Sequence, residues 1–173
     1  MTRSTESIEE ELTRRHRRAS TTVVALLLLT LALVGIAYVA GKWIYRPGDP
    51  SLAMALWITI LIFGLGAFAF RRTRFSAMRL QDIAALQGVT GLLATLYGTT
   101  VQVAYIGGAI ALMGFVITIL TGNKYDMLRA GGVALIVLLY SYPIRSAWKR
   151  VVHGIEQTGD ANDTQEPAKG RIA

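Results

Sequence analysis

The side chains with the greatest capacity for chemistry lie in one short stretch near the middle of the sequence. Arg71, Arg72 and Arg74 are followed closely by Arg79 and Asp82. Guanidinium groups bind phosphate through paired hydrogen bonds, so this set could hold phosphate-bearing lipids, with Asp82 as the residue on which activity would depend. Arg79 and Asp82 are also three residues apart, which fits an ordinary ion pair on a helix surface. We favour the ion pair and predict no catalytic residues.

Other arrangements that carry chemistry are missing from the sequence. The chain contains no cysteine, which excludes disulfides, thiolate metal sites and a catalytic thiol. Its two histidines, His16 and His153, are far apart, and no zinc-protease, serine-hydrolase, P-loop or EF-hand motif occurs. Proton-coupled transporters and voltage sensors require an ionisable residue within the membrane. The hydrophobic stretches of this chain have none near their centres. We therefore expect no metal and no cofactor.

The distribution of charge indicates the elements that position these residues. The chain is 53% hydrophobic and 17% charged, against roughly 25% charged in soluble domains. The charges lie in the tails and three short connections, between long uncharged stretches. This pattern predicts an all-α integral membrane protein with four transmembrane helices, at about 21–41, 51–70, 101–121 and 130–148.

The uncharged run from Ile83 to Asn123 is longer than one span requires. We predict that residues 76–97 form an amphipathic helix at the membrane interface, because apolar residues recur there every three or four positions between polar ones. A bend at Gly98–Thr100 would then lead into the third span. The alternative is that residues 83–97 form a fifth span.

Basic residues favour four spans, because that topology places 14 of the 18 Lys and Arg residues on one side. By the positive-inside rule both termini are cytoplasmic, in a bacterial inner or plasma membrane, with the first span uncleaved. The expected architecture is a four-helix bundle of two helical hairpins. A faint repeat, Gly41–Tyr45 against Gly122–Tyr125, fits either duplication of a hairpin or two unrelated hairpins of similar topology.

The two tails differ in character. Residues 1–20 are predicted to form a basic amphipathic helix, with i,i+4 pairs of Glu10 with Arg14 and Glu11 with Arg15. Residues 154–173 have almost no apolar content and are expected to be disordered. We attribute the net charge of +7 to basic residues that flank the spans, and not to nucleic-acid binding. The predicted lipid head-group contacts are Arg14, Arg15, Arg17, Arg18, Arg71, Arg72, Arg74 and Arg79.

Small residues crowd the third span and form a candidate helix-docking face. This face consists of Ala104, Gly107, Gly108, Ala111 and Gly114. Small side chains let helices approach closely, either within the chain's own bundle or against another subunit or copy. The leading functional hypothesis is a non-enzymatic accessory, assembly or structural subunit of a larger membrane complex. The alternatives are a homo-oligomeric channel or facilitator and, third, a lipid-acting enzyme at the cytoplasmic face.

Overall fold

The computed structural model describes residues 2–74 and 77–143, and for residues 2–9, 42, 77–85 and 87–90 it describes the backbone alone. These residues form four α-helices joined by short connections: α1 (Thr2–Ile44), α2 (Pro50–Arg74), α3 (Ala77–Thr121) and α4 (Lys124–Ser141). The described part contains no strand, which confirms the all-α fold class. The predicted tail at 154–173 lies outside the described residues.

Among the described residues, three segments are long and apolar enough to cross a membrane: Glu10–Gly41, Pro50–Arg74 and Gly91–Thr121. The helix expected at 130–148 begins earlier, at Lys124. Its start is set by Asn123, whose side chain accepts a hydrogen bond of 3.2 Å from the Tyr125 amide and so caps the first turn. The helix ends at Ser141, two residues before Pro143, which disfavours helical conformation in the residue preceding it.

The central element is α3, which packs against each of the other three helices. α1 and α4 also contact each other, and α2 touches α4 along a narrower strip. α1 and α2, in contrast, scarcely touch in the described part of the chain. α3 and α4 therefore pack directly on each other, whereas α3 lies between α1 and α2. The four-span bundle of two hairpins stays a prediction.

The buried positions recur at alternating steps of three and four residues, the spacing that keeps one helix face against a neighbour in side-by-side packing. On α3 this series is Leu96, Thr100, Val103, Gly107, Ile110, Gly114 and Ile117. On α4 it is Met127, Ala130, Ala134, Val137 and Ser141. The buried threonines Thr30, Thr100 and Thr118 each donate a hydrogen bond to the carbonyl four residues earlier. The core is therefore packed by apolar contact, and the hydroxyl groups of these three threonines are satisfied within their own helices.

Glycines set the closest approaches to α3. A Cβ at Gly114 would collide with the Cβ of Ala130 on α4. A Cβ at Gly107 would lie 2.8 Å from Leu138 Cγ on α4, and one at Gly108 would lie 2.9 Å from Leu26 Cδ2 on α1. These three positions allow α3 to approach both neighbours more closely than alanine would permit.

The connection between α1 and α2 crosses the C-terminal end of α3 and caps it. The backbone amide of Arg46 donates to the Ile119 carbonyl at 3.0 Å, and that of Gly48 donates to the Leu120 carbonyl at 3.4 Å. Gly122, at φ 69°, adopts the left-handed conformation that commonly ends a helix, and its amide bonds the Thr118 carbonyl at 2.9 Å. Carbonyls that a helix end normally leaves unpaired are thus satisfied by the loop.

The N-terminal part of α3 must bend. Arg74 lines a cavity together with Gln102 and Tyr105, and Ala77 can lie at most about 11 Å from Arg74 along the backbone. In a straight helix Ala77 would be roughly 37 Å from Gln102, which is too far for Ala77 to remain close to Arg74. The stretch between them contains Gly88 and Gly91, which lower the cost of bending a helix.

Helix α3 is continuous through the position of the predicted bend. α3 is helical throughout Gly98–Thr100, and its buried positions continue without interruption from Leu92 to Ile117. This continuity contradicts the alternative of a fifth span at 83–97, because such a span would have to reverse direction there. The bend at Gly98–Thr100 stays a prediction, because a bent helix is still helical. The structure does not confirm that residues 77–90 lie at a membrane interface.

We expect Gly114→Ala to lower the free energy of unfolding by about 1–3 kcal/mol, because the Cβ of Ala130 belongs to a rigid helix and cannot move aside. Gly66→Ala is the matched control, since a Cβ there meets nothing within 4 Å. Thermal unfolding in detergent, followed by circular dichroism, measures both. Equal midpoints for the two variants would contradict the close approach of α3 and α4.

Candidate functional site: the basic end of the bundle

One end of the bundle collects most of the basic side chains in the described residues, and we call it the basic end. It comprises Arg14–Arg18 on α1, Arg71–Arg74 at the C-terminus of α2, and Tyr140–Pro143 at the end of α4. The opposite end, formed by residues 45–49 and 121–126, is the loop end. Cations in the last turn of α2 also stabilise that helix, because they face the negative end of its dipole.

Arg71 joins α2 to α4 at the basic end. Its guanidinium lies 4.3 Å from the ring centroid of Tyr140, a cation–π geometry. The Tyr140 ring also packs against Phe68, with 4.6 Å between ring centroids. Arg71 is half-buried, so its side chain is committed to this helix contact. Arg72, the next residue, is exposed.

α1 is fastened to the end of α4 by two polar contacts one helical turn apart. His16 Nε2 lies 2.9 Å from the Pro143 carbonyl oxygen, which can accept a hydrogen bond from the ring N–H. The Ser20 hydroxyl donates to the Tyr142 hydroxyl at 3.4 Å. The Pro143 carbonyl lies beyond the last helical residue of α4, so His16 satisfies a backbone group that the helix does not pair.

A groove of about 650 Å³ runs beside α1 at the basic end. Its lining consists of Glu10, Thr13, Arg14, Arg17, Arg18, Thr21, Thr22 and, from α3, Tyr97. The hydroxyls of Thr21 and Thr22 donate to the carbonyls of Arg17 and Arg18, so they shape the groove and leave its hydrogen-bond donors to the arginines and Tyr97. Guanidinium groups in a concave site of this size are suited to binding an anion.

Of the two predicted ion pairs on α1, one is present. Arg15 Nη2 donates to Glu11 Oε1 at 2.6 Å, which confirms that pair. Arg14 makes no ion pair with Glu10 in the described part of the chain, and both residues line the groove. Arg14, Arg17 and Arg18 are exposed there, whereas Arg15 is paired and lies outside the groove lining.

A smaller cavity of about 430 Å³ lies between α2 and α3 at the same end. It is lined by Phe70, Arg74, Gln102, Tyr105 and Ile106. Arg74 lies over the Phe70 ring, with 5.3 Å between its guanidinium carbon and the ring centroid. The cavity opens onto a face of α3 that no other helix covers in the described part of the chain.

The structure brings seven of the eight predicted head-group arginines to the basic end; the side chain of Arg79 lies outside the described part, as does that of Asp82. The predicted docking face is inside the bundle. Ala104 packs with Val23 and Leu138, and Gly107, Gly108 and Gly114 contact α4 or α1 as described above. Ala111 belongs to the main hydrophobic core. All five residues are buried, so α1 and α4 occupy this face in the structure.

The loop end contains a polar cluster that the sequence analysis missed. Asp126 is buried, with an exposed fraction of 8%, and its Oδ2 lies 2.8 Å from the Thr121 hydroxyl oxygen. The Asn123 amide donates to that same oxygen at 3.2 Å. Asn123 is a favoured residue at a helix start, so the sequence carried a signal for the start of α4 but not for the burial of Asp126. The cluster joins the end of α3 to the start of α4.

Two further contacts mark the loop end. The Lys124 ammonium lies 4.6 Å from the centre of the Tyr38 ring, which ties the start of α4 to α1. In the turn before α2, the Ser51 amide donates to Asp49 Oδ1 at 2.9 Å, and hydrogen bonds from Ser51 hold the pKa of the Asp49 carboxyl below its ordinary value. Both contacts organise the start of a helix.

The described residues contain no group of three His, Cys, Asp or Glu side chains placed to bind a metal. Fold and site together define an all-helical protein with three helices of membrane-spanning length and a basic, aromatic-rich end. Comparison with protein families, with curated proteins and with solved structures finds no match to this chain.

We expect His16→Leu to lower the free energy of unfolding by about 1 kcal/mol, because the Pro143 carbonyl loses a hydrogen-bond partner. Arg14→Leu is the control, since it is on the same helix, is exposed and makes no contact with α4. Thermal unfolding in detergent compares the two. Unchanged stability in His16→Leu would show that this contact does not fasten α1 to α4.

Proposed function

We propose that this chain is a small multi-pass protein of the bacterial inner or plasma membrane with four spans and both termini in the cytoplasm. The proposal adds α4 as a fourth span to the three membrane-length helices. Support comes from the alignment of α4 with α1: Lys124 meets Tyr38 at one end, and Tyr142 meets Ser20 at the other. Between these contacts, residues 20–38 of α1 and residues 124–142 each rise about 27 Å, close to the thickness of the roughly 30 Å hydrocarbon core.

The basic end then faces the cytoplasm, as the positive-inside rule requires. The bend in α3 supports an interfacial position for its N-terminal part. Ala77 must stay close to Arg74 at the membrane surface, so the segment leading to Gly91 has to run sideways before α3 turns into the bilayer.

Within that membrane setting, we propose that the chain is a non-enzymatic accessory, assembly or structural subunit of a larger complex. The observation that carries this proposal is the uncovered face of α3 between α1 and α2. Tyr105, Leu112 and Val116 are 61%, 50% and 42% exposed there, although α3 is otherwise the most enclosed helix. Gln102 is also exposed on this face, where a neighbouring helix could bond its amide.

The membrane topology can be tested by labelling single cysteines, because the natural chain has none. We expect a membrane-impermeant maleimide to label Pro47→Cys in intact cells. It should label Glu10→Cys, and a cysteine added after Ala173, only after the membrane is opened. Labelling of the C-terminal cysteine in intact cells would indicate three spans and would contradict α4 as a fourth.

The subunit role can be tested by affinity purification from native membranes in mild detergent, with mass measurement of the intact particle. We expect stoichiometric foreign subunits with the natural chain, and their loss with Leu112→Trp, which blocks the open face of α3. Leu61→Trp, on the outward face of α2, should retain them. A particle made only of copies of this chain would contradict the subunit role and favour a homo-oligomeric channel, which ion flux into liposomes would then test.

A further inference from the structure

We propose that the groove beside α1 binds the phosphate head group of one anionic membrane lipid. The inference rests on the membrane placement proposed above, but not on the subunit role. Arg17 and Arg18 lie three and four residues after Arg14, so all three lie on one side of the helix. All three are exposed at the groove, and no carboxylate pairs with them in the described residues.

The charge of the groove favours an anion. Three guanidinium groups line it against the one carboxylate of Glu10. Arg15, in contrast, is neutralised by Glu11 and lies outside the lining. The Tyr97 side chain from α3 forms the facing wall, so the anion would be held between two helices.

The helix surface next to the groove is suited to the rest of a lipid molecule. Thr21 ends the polar part of this face, and Val24, Leu28 and Leu31 continue it at steps of three and four residues. These three side chains are 40%, 62% and 54% exposed. A lipid whose phosphate lies at the arginines could therefore rest its acyl chain on this apolar surface. A free phosphate ion has no use for such a surface.

The groove also lies at the membrane surface where anionic lipids are found. The proposed topology puts Arg17 and Arg18 at the cytoplasmic surface, where anionic lipids attract basic residues by about 1 kcal/mol for each charge. Fixing those residues on a helix that packs along α3 lowers the ordering cost of binding.

The test is native mass spectrometry of the full chain in detergent, titrated with phosphatidylglycerol or with phosphatidylcholine of the same acyl chains. We expect one phosphatidylglycerol molecule to be retained, at a concentration at least tenfold below that needed for phosphatidylcholine. Equal retention of the two lipids would overturn the proposal. Inorganic phosphate serves as the third ligand: displacement of the lipid by millimolar phosphate would show that a free anion occupies the groove.

Variants locate the binding to this groove. Arg17→Gln with Arg18→Gln should raise the half-saturating phosphatidylglycerol concentration on the order of tenfold, and lysine at both positions should restore most of the affinity. Arg72→Gln removes an exposed charge at the same end and should have less than a twofold effect. Equal effects of the double variant and Arg72→Gln would overturn the site.

A second variant keeps every charge and fills the groove instead. Thr21→Trp should abolish the preference for phosphatidylglycerol while thermal unfolding stays close to that of the natural chain. Undiminished preference in a folded Thr21→Trp variant would also overturn the site. Because all these measurements use the purified chain, their failure is distinguishable from a failure to find partner subunits.

Discussion

The structure depends on how closely α3 approaches its neighbours. Helices within a bilayer gain little from the hydrophobic effect and associate through van der Waals contact, which requires that their backbones come near each other. Gly107, Gly108 and Gly114 provide that approach on both sides of α3. The contacts of α1 and α4 at the basic end, and the groove that α1 shares with Tyr97, follow from the position this packing gives to α3.

The second constraint is the short link between α2 and α3. Two residues separate helices that run in opposite directions, yet α3 begins far in sequence from the residues that pack beside the end of α2. Chain geometry alone therefore forces the bend near the start of α3. The same constraint keeps the arginines of α2 close to the cavity around Gln102, so the basic end is set by connectivity as well as by charge.

Much of this architecture could be predicted from the sequence because it follows from local rules. Hydrophobic runs located α1, α2 and the later part of α3, and the acid–base spacing located the Glu11–Arg15 pair. The features that were missed depend on neighbours distant in sequence. No local pattern indicates that α3 separates α1 from α2, or that the loop between α1 and α2 caps the end of α3. The contact of Asp126 with the Thr121 hydroxyl, in contrast, joins residues only five positions apart, across the turn between α3 and α4.

The crossing of the α1–α2 connection over α3 bears on the order in which the chain can assemble. α1 and α2 are synthesised first, but they have almost no common interface, so an early intermediate containing only these two helices has little to hold them side by side. In the folded protein α3 fills the space between them. Native packing of the first half of the molecule therefore requires a helix that is synthesised after it.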